Sequence, residues 1–387
     1  MVTTKDNRLA DYIVIIVILL MAVGTVFVFS ASANVSQELN LQRFYEFSCL
    51  RQILFFPIAV LVMYTVSCLN YQRFSLTTGW SKSLTTYLLI FSIALLILVL
   101  FPQFGTEVNR ARRWLRIAAG PVTISFQPSE LAKWATLFFI AGFCDNFSSS
   151  LNLYWKRFIP LCLVVAVVVG LIITEDFGTA ALISLLAFLM LIIAGAKWWH
   201  VLSPLPFGII VFLIAVIASP GRRIRILAFL SPEKWADSAA YQANQSLIAL
   251  GSGGLCGKGL GRGICKYGYL PEDTTDFIFA IIGEELGLVG TIAVIGFFII
   301  FLWLGILVVL RCRDRFGRLL AGGIVLTIAI QAALNIGVVT VVLPTKGIPL
   351  PFVSAGGTSL LLSAAAVGVL LNIAKKSTKD GLGDVDA

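Results

Sequence analysis

Charge is what this chain has least of. Asp, Glu, Lys and Arg make up 13% of its 387 residues, against 58% hydrophobic residues. That balance excludes a soluble globular protein, and no stretch between the apolar runs is long enough for a separate soluble domain. Residues 1–387 therefore read as a single integral membrane domain. Histidine occurs once. It is His200, beside Trp198 and Trp199 at the end of an apolar segment, the place of an interfacial residue rather than a ligand. The seven cysteines follow no metal spacing. Cys49, Cys68, Cys144, Cys162 and Cys312 lie in or beside apolar segments as small hydrophobes. Cys256 and Cys265 share one polar loop and would pair only in an oxidising compartment.

What is present is apolar length. Ten segments, roughly 11–30, 52–68, 84–101, 128–146, 158–174, 177–195, 201–219, 276–310, 319–343 and 354–374, are each long enough to cross a bilayer. Only helices satisfy their own backbone in hydrocarbon over such lengths, so the expected fold is all-α and polytopic, with one long outer loop at about 220–275. Ala31-Ser32-Ala33 mimics a signal-peptidase site. The apolar run before it, about 18 residues, exceeds the 7–15 of a signal sequence and reads as an uncleaved anchor. With both termini inside, the inner loops hold 14 of the 29 basic residues, from Lys5 and Arg8 to Lys375, Lys376 and Lys379.

The outer cations are clustered. Arg110, Arg112, Arg113 and Arg116 crowd one loop; Arg222, Arg223, Arg225, Lys234, Lys258, Arg262 and Lys266 occupy the long one. Two readings stand: phospholipid contact, or recognition of an anionic headgroup. The glycine-rich run 251–263 contains no Gly-Lys-Ser/Thr and follows no strand, so a nucleotide loop fails its context test. Its amides near Lys258 and Arg262 remain able to cradle a phosphate.

Ionisable residues inside the spans are costly and call for partners. Glu130 and Lys133 open the fourth span one helical turn apart, after Pro128, which starts the helix, and Ser129, which suits its cap. They serve either as a self-neutralising pair or as one wall of a polar cavity. Glu175 and Asp176 occupy a turn between two spans, where Asp176 suits backbone hydrogen bonding. The eighth span, residues 276–310, would be about 52 Å long, far more than the roughly 30 Å core. Either a bend or a strong tilt would absorb the excess, and Gly283, Gly287 and Gly290 suit bending or close helix approach. Asp276, Glu284 and Glu285 then lie toward the outer side. Aspartate before an apolar run is a common helix N-cap, and a rigidly held carboxylate also suits a general base. The last outer connection, 343–359, has three prolines and three glycines, the mark of an irregular loop tolerated only when buried or lining a cavity.

Taken together, these motifs are highly specific. "ARRW" at 111–114, "FQPSELAK" at 126–133, "EDFGTA" at 175–180, "YQANQSLIALGSGGL" at 241–255, "LPEDTTDFIFAIIGEELGLVG" at 270–290 and "LPTKGIPLPFVSAGG" at 343–357 span nearly the whole chain. The sequence resembles the SEDS family of bacterial cell-wall proteins (FtsW, RodA and SpoVE-like). It is most similar to the FtsW division branch in "LPTKG" and "GEELGLVG". The resemblance implies a ten-span peptidoglycan glycosyltransferase of the cytoplasmic (inner) membrane, placed at the division septum. It would polymerise lipid II beside a class B penicillin-binding transpeptidase and other divisome membrane proteins, with no nucleic acid involved. Asp276 matches the family's proposed catalytic base, Glu130 and Lys133 its cavity pair, and Lys346 its "PT-K-G" lysine. Thr274 stands where the family usually has histidine, Arg110 where glycine is common, Glu175 where proline is common and Ala355 where tyrosine is usual.

The resulting expectation is that Asp276 deprotonates an acceptor hydroxyl while outer cations, with Arg112, Arg113 and Lys346 as candidates, stabilise the departing pyrophosphate. Lys258, Glu130, Lys133, Glu284 and Glu285 complete the candidate substrate site. No ligand cluster requires a metal or other cofactor, and a divalent cation (Mg or Mn) beside Asp276 stays open. The competing classes are an elongation-type polymerase, a lipid II flippase and a non-catalytic division scaffold; no clear inverted repeat of a transporter is visible.

Overall fold

The computed structural model describes residues 8–32, 48–77, 79–108, 111–119 and 122–382; Lys5, Ala33 and Arg110, weighed above, lie outside them. The architecture is an all-α membrane bundle. Among the described residues, seven helical segments are long and apolar enough to cross a membrane: Arg8–Ser32, Cys49–Ser67, Tyr154–Ile173, Trp198–Ile217, Ile278–Arg311, Arg315–Val339 and Gly357–Ser377. Two apolar helices of 17 residues, α3 (Leu84–Leu100) and α6 (Phe177–Ile193), and α4 (Pro128–Asn146), which carries the Glu130–Lys133 pair, bring the spans to the expected ten.

The remaining helices are α1 (Arg8–Ser32), α2 (Ser48–Ser67), α5 (Ile159–Ile173), α7 (Trp198–Leu202), α8 (Leu205–Ile217), α9 (Pro220–Leu230), α10 (Tyr241–Gly253), α11 (Ile278–Arg311), α12 (Arg315–Val339) and α13 (Gly357–Leu382). The long loop at 220–275 is therefore not structureless: α9 and α10 fold within it. The "ARRW" loop is not a loop either. It forms a small antiparallel sheet of β1 (Gly105–Val108), β2 (Ala111–Ala119) and β3 (Val122–Phe126), with Leu115 opposite Gly105 and Phe126. Adjacent Arg112 and Arg113 and the apolar run 117–119 break any polar–apolar alternation along β2, so the period-two signal of a strand is missing from its sequence.

Of bend and tilt, the long eighth span shows a break. At Gly287 the backbone leaves the helix (φ 68°, ψ −159°) and divides α11 in two. That conformation is essentially confined to glycine. The glycine-rich loop 254–263 fills the gap. Lys258 N and Gly259 N donate to Glu284 O and Glu285 O at 3.0 and 2.9 Å, closing the first half. Gly254 O and Leu255 O accept from Leu288 N and Val289 N at 2.9 and 3.2 Å, closing the second. Backbone broken at membrane depth is thus satisfied by protein, as hydrocarbon demands. Repeated glycines here serve close approach: a Cβ on Gly253 or Gly257 would collide with the backbone of Gly283 or Glu285.

Candidate functional site

Four segments converge at the start of α11. Asp276 precedes the helix, but the cap position is Phe277, with no side-chain cap bond. The helix-cap reading of Asp276 is thereby replaced, because its carboxylate accepts no hydrogen bond from a first-turn amide. It lies instead against the 344–356 connection, where a Cβ on Gly347 would stand 2.5 Å from Asp276 Oδ2. Its backbone is pinned from α12: Asn335 Nδ2 donates to Asp276 O at 2.7 Å and to Ile348 O at 2.8 Å. Ala355 N donates to Thr274 O at 2.9 Å, and the Ser354 hydroxyl donates to Thr275 O. The proline-rich connection is buried over Leu350–Ala355, as irregular backbone at such depth must be.

Desolvation pushes the Asp276 carboxyl up to about 7. Glu272 and Asp176 add repulsion, and Arg113 and Arg225 oppose it. The cations come from three elements. Arg113 of β2 donates through Nε to Glu175 O at 2.6 Å, fastening the sheet onto the α5–α6 turn. Arg222 of α9 donates to Ile173 O at 2.8 Å and to Thr174 O, meeting the carbonyls that end α5. Its guanidinium carbon lies 5.3 Å from the Phe177 ring centroid. Lys346 places its ammonium 4.1 Å from the same centroid and its chain against Gly178. Burial pushes Lys346 down to about 6, with Asp176 opposing and Arg113, Arg222 and Arg225 reinforcing. Arg222 and Arg225 are both lowered by burial first and by neighbouring arginines second.

Asp176 caps α6, accepting from Thr179 N at 3.2 Å and Thr179 Oγ1 at 2.7 Å, as its turn position suggested, and also from Gln127 Nε2 at 3.2 Å. Gln127, not Ser129, occupies the cap of α4, and its amide turns to Ser129 and Asp176.

The other expected site residues fall elsewhere. Arg112 faces outward, 3.7 Å from Glu107. Glu130 and Lys133 are buried and paired at 2.8 Å, and Lys133 also reaches Gln331 Oε1 at 2.9 Å, whose Nε2 donates to Pro349 O at 3.1 Å. The pair thus reaches the 344–356 connection through Gln331. Glu284 accepts from Lys258 Nζ (2.7 Å), Ile264 N (2.9 Å) and Cys265 N (3.1 Å). Glu285 accepts from Lys266 Nζ (2.8 Å), Ser30 Oγ (2.7 Å) and Gly261 N (3.0 Å). Both are fully buried and bind the glycine-rich loop to α11. Cys256 and Cys265 are both free thiols. Sequence reasoning did not single out Arg222, Arg225 or Asn335. For the arginines the signal was Pro220 followed by cations three apart, one face of a short helix. For Asn335, an amide in an apolar span, there was only its cost.

Beside this cluster lies an apolar groove of about 550 Å³ between α5, α6 and α8. It is lined at one end by Ile173 and Phe177 and at the other by Leu161, Val201 and Pro204. Phe177 is shared: one side of the aromatic faces the groove and its ring carries the two cations. Among the described residues, no group of three or more His, Cys, Asp or Glu side chains is placed to hold a metal ion. The arrangement provides a long apolar channel, a cation cluster at its end and a carboxylate of raised pKa beyond.

Comparison with known proteins gives consistent results. The family model for FtsW, RodA and SpoVE, described as cell cycle protein, matches residues 10–379. Stage V sporulation protein E of Bacillus subtilis (strain 168) is 38% identical over 378 residues, covering 97% of this chain and 99% of that protein. A "Probable peptidoglycan glycosyltransferase FtsW" of Coxiella burnetii is 37% identical over 373 residues, covering 94% and 95%. Among solved structures, Thermus thermophilus rod shape determining protein RodA superposes with a TM-score of 0.65 at 25% identity, covering 94% of this chain and 96% of that one. A chain from a peptidoglycan synthase complex that coordinates polymerization and crosslinking reaches 0.72 at 24% identity, covering 94% and 97%, and bears on the fold alone.

Proposed function

The chain belongs to the FtsW, RodA and SpoVE family and is a peptidoglycan glycosyltransferase; from that premise we propose that it polymerises lipid II at the Asp276 face, with Asp276 as the base. The observation that carries this reading is the junction at Phe177, where the apolar groove meets Lys346 and Arg222. A substrate made of a long hydrocarbon chain and a pyrophosphate fits that junction: chain in the groove, anion on the cations.

The disaccharide then lies toward Asp276. Its carboxylate takes the proton of the acceptor hydroxyl as that oxygen bonds to the anomeric carbon of the donor. The carbon–oxygen bond to pyrophosphate breaks with inversion, and the leaving group carries off the electron pair. Arg113, Arg222, Arg225 and Lys346 are placed to stabilise the charge that develops there. A carboxyl poised near 7 is half ionised at neutral pH, suited to taking a proton and releasing it again. The energy comes from the substrate's own pyrophosphate linkage, so no nucleotide is needed, in keeping with the structural use of the glycine-rich loop.

Lys133, Glu130, Gln331 and Asn335 act as positioning residues behind the 344–356 connection. A class B penicillin-binding transpeptidase is the proposed partner and the division septum the proposed location, with Asp276 on the outer side and both termini inside. The test is glycan-strand formation from lipid II by the purified full chain with its cognate transpeptidase. Wild type makes strands, and Asp276→Asn, still folded by thermal melting, loses about 10²–10⁴ in rate. Strands from both at similar rates would remove Asp276 from the chemistry.

A further inference from the structure

The groove has a second mouth, on the face opposite Asp276. There a π-helical turn (Tyr154–Phe158) leads into α5, and α7 leads toward α8. The two connections are clamped together. Tyr154 and His200 rings lie 5.0 Å apart, Phe158 and His200 5.6 Å, and Tyr154 Oη and Ser203 Oγ share a 2.9 Å hydrogen bond. Lys197 N donates to Asn152 Oδ1 at 3.3 Å.

Around this rigid corner stand three indoles: Trp155 is 78% exposed, Trp198 58% and Trp199 67%, the last two stacked at 3.7 Å. Lys156 and Lys197 are exposed beside them. Among the described residues neither lysine forms an ion pair. Indoles and lysines together are the chemistry of the lipid headgroup layer. What distinguishes this corner is its floor: Leu161, Val201 and Pro204 line the groove there, and the same groove runs to Ile173 and Phe177. From Leu161 to Ile173, α5 rises about 18 Å, more than half of a roughly 30 Å core.

We infer that this corner binds the headgroup of an anionic phospholipid, with Lys156 and Lys197 on its phosphate and one acyl chain in the groove. Charge complementarity commits the site to an anionic lipid, and its position on the opposite face separates it from the substrate's pyrophosphate. The groove is then shared between two hydrocarbon chains that approach from opposite ends, and the phospholipid competes with the substrate's chain. That competition rests on the reading of the groove given under Proposed function; the headgroup site does not.

Native mass spectrometry of the full chain tests the binding directly, with phosphatidylglycerol, phosphatidylethanolamine of the same chains and undecaprenyl phosphate each titrated in. Wild type retains one phosphatidylglycerol in preference to phosphatidylethanolamine, by about thirtyfold for two lysines near a phosphate. K156Q/K197Q loses that preference, K156R/K197R keeps it, and raised salt weakens it in wild type. Thermal melting confirms that each variant is folded. No preference in wild type, an unchanged preference in K156Q/K197Q, or a loss of undecaprenyl phosphate retention in K156Q/K197Q as large as that of phosphatidylglycerol would overturn the site. A second arm follows polymerisation in vesicles: phosphatidylglycerol raises the apparent KM for lipid II in wild type and not in K156Q/K197Q. Retention with an unchanged KM would overturn the shared groove. Absence of polymerisation throughout would overturn the proposed function while leaving the binding result standing.

Discussion

Gly287→Ala tests whether the break in α11 is a built feature. The native conformation there, φ 68° and ψ −159°, costs a residue with a Cβ about 1–3 kcal/mol. The added methyl would also stand 2.6 Å from Leu255 O and closer still to Gly257 N, both backbone atoms that cannot turn aside. The glycine-rich loop must then back away from the helix. Four hydrogen bonds cross that junction: Lys258 N and Gly259 N to the first half, Leu288 N and Val289 N from the second. Losing two of them strands buried polar groups at about 1–3 kcal/mol each. The sum is on the order of 3–9 kcal/mol, comparable with the whole folding free energy of a domain. Gly296→Ala, nine residues along the same helix with open space at its Cβ, is the control and should be neutral or stabilising. Thermal melting in detergent, followed by fluorescence-detected gel filtration, reads both. If Gly287→Ala melts and polymerises as Gly296→Ala does, the break is incidental and the reasoning fails.

Gly347→Ala pushes a methyl to 2.5 Å from Asp276 Oδ2 without an unfavourable backbone angle, so it displaces the carboxylate and should lower kcat about a hundredfold with the melting temperature little changed. An unaltered kcat would mean that the carboxylate's position is not critical. Arg113→Ala should cost about 10²-fold in kcat/KM, whereas Arg112→Ala, whose side chain faces Glu107 and solvent, should cost less than about threefold; equal losses would undo the division between the two. With Asp276 near 7 and active only when ionised, log kcat/KM should climb with pH and level off above about 7; a limb near 4 would refute the desolvated carboxyl. Lys346, near 6, is mostly neutral at pH 7, and a pyrophosphate beside it favours the charged form. Binding therefore takes up to about one proton. Calorimetry in buffers of different ionisation enthalpy measures it, and zero uptake would place the anion elsewhere.

The ten spans were legible because apolar length is a local property, and so was the excess length of the eighth, though not whether a break or a tilt would absorb it. The small sheet was not legible: β2 carries three arginines in nine residues, two of them adjacent, and has no period-two alternation to mark a strand. Asp276 looked like a cap, since an aspartate before an apolar run is the same in sequence whether or not it bonds to the helix amides. Glu284 and Glu285 looked available to a substrate for a related reason. Sequence shows that a buried carboxylate needs partners, not that a glycine-rich loop 19 to 26 residues away already supplies them. Arg222 and Arg225 were counted among outer cations, yet only the folding of α9 carries them to Phe177 and Asp276.

The order in which the chain is made gives the bonds around α11 a timing. The partners of Glu284 in the glycine-rich loop precede it by 26 and 20 residues. Both carboxylates can therefore be neutralised as soon as that segment leaves the ribosome's shadow, and no bare charge waits in hydrocarbon for later helices. The neighbourhood of Asp276 matures on another schedule. Its backbone is fixed by Asn335, 59 residues later, and the adjoining Thr275 by Ser354, 79 residues later. The α11 junction is thus set early and the surroundings of Asp276 last, so a chain truncated before Asn335 would lack the contacts that fix the backbone there.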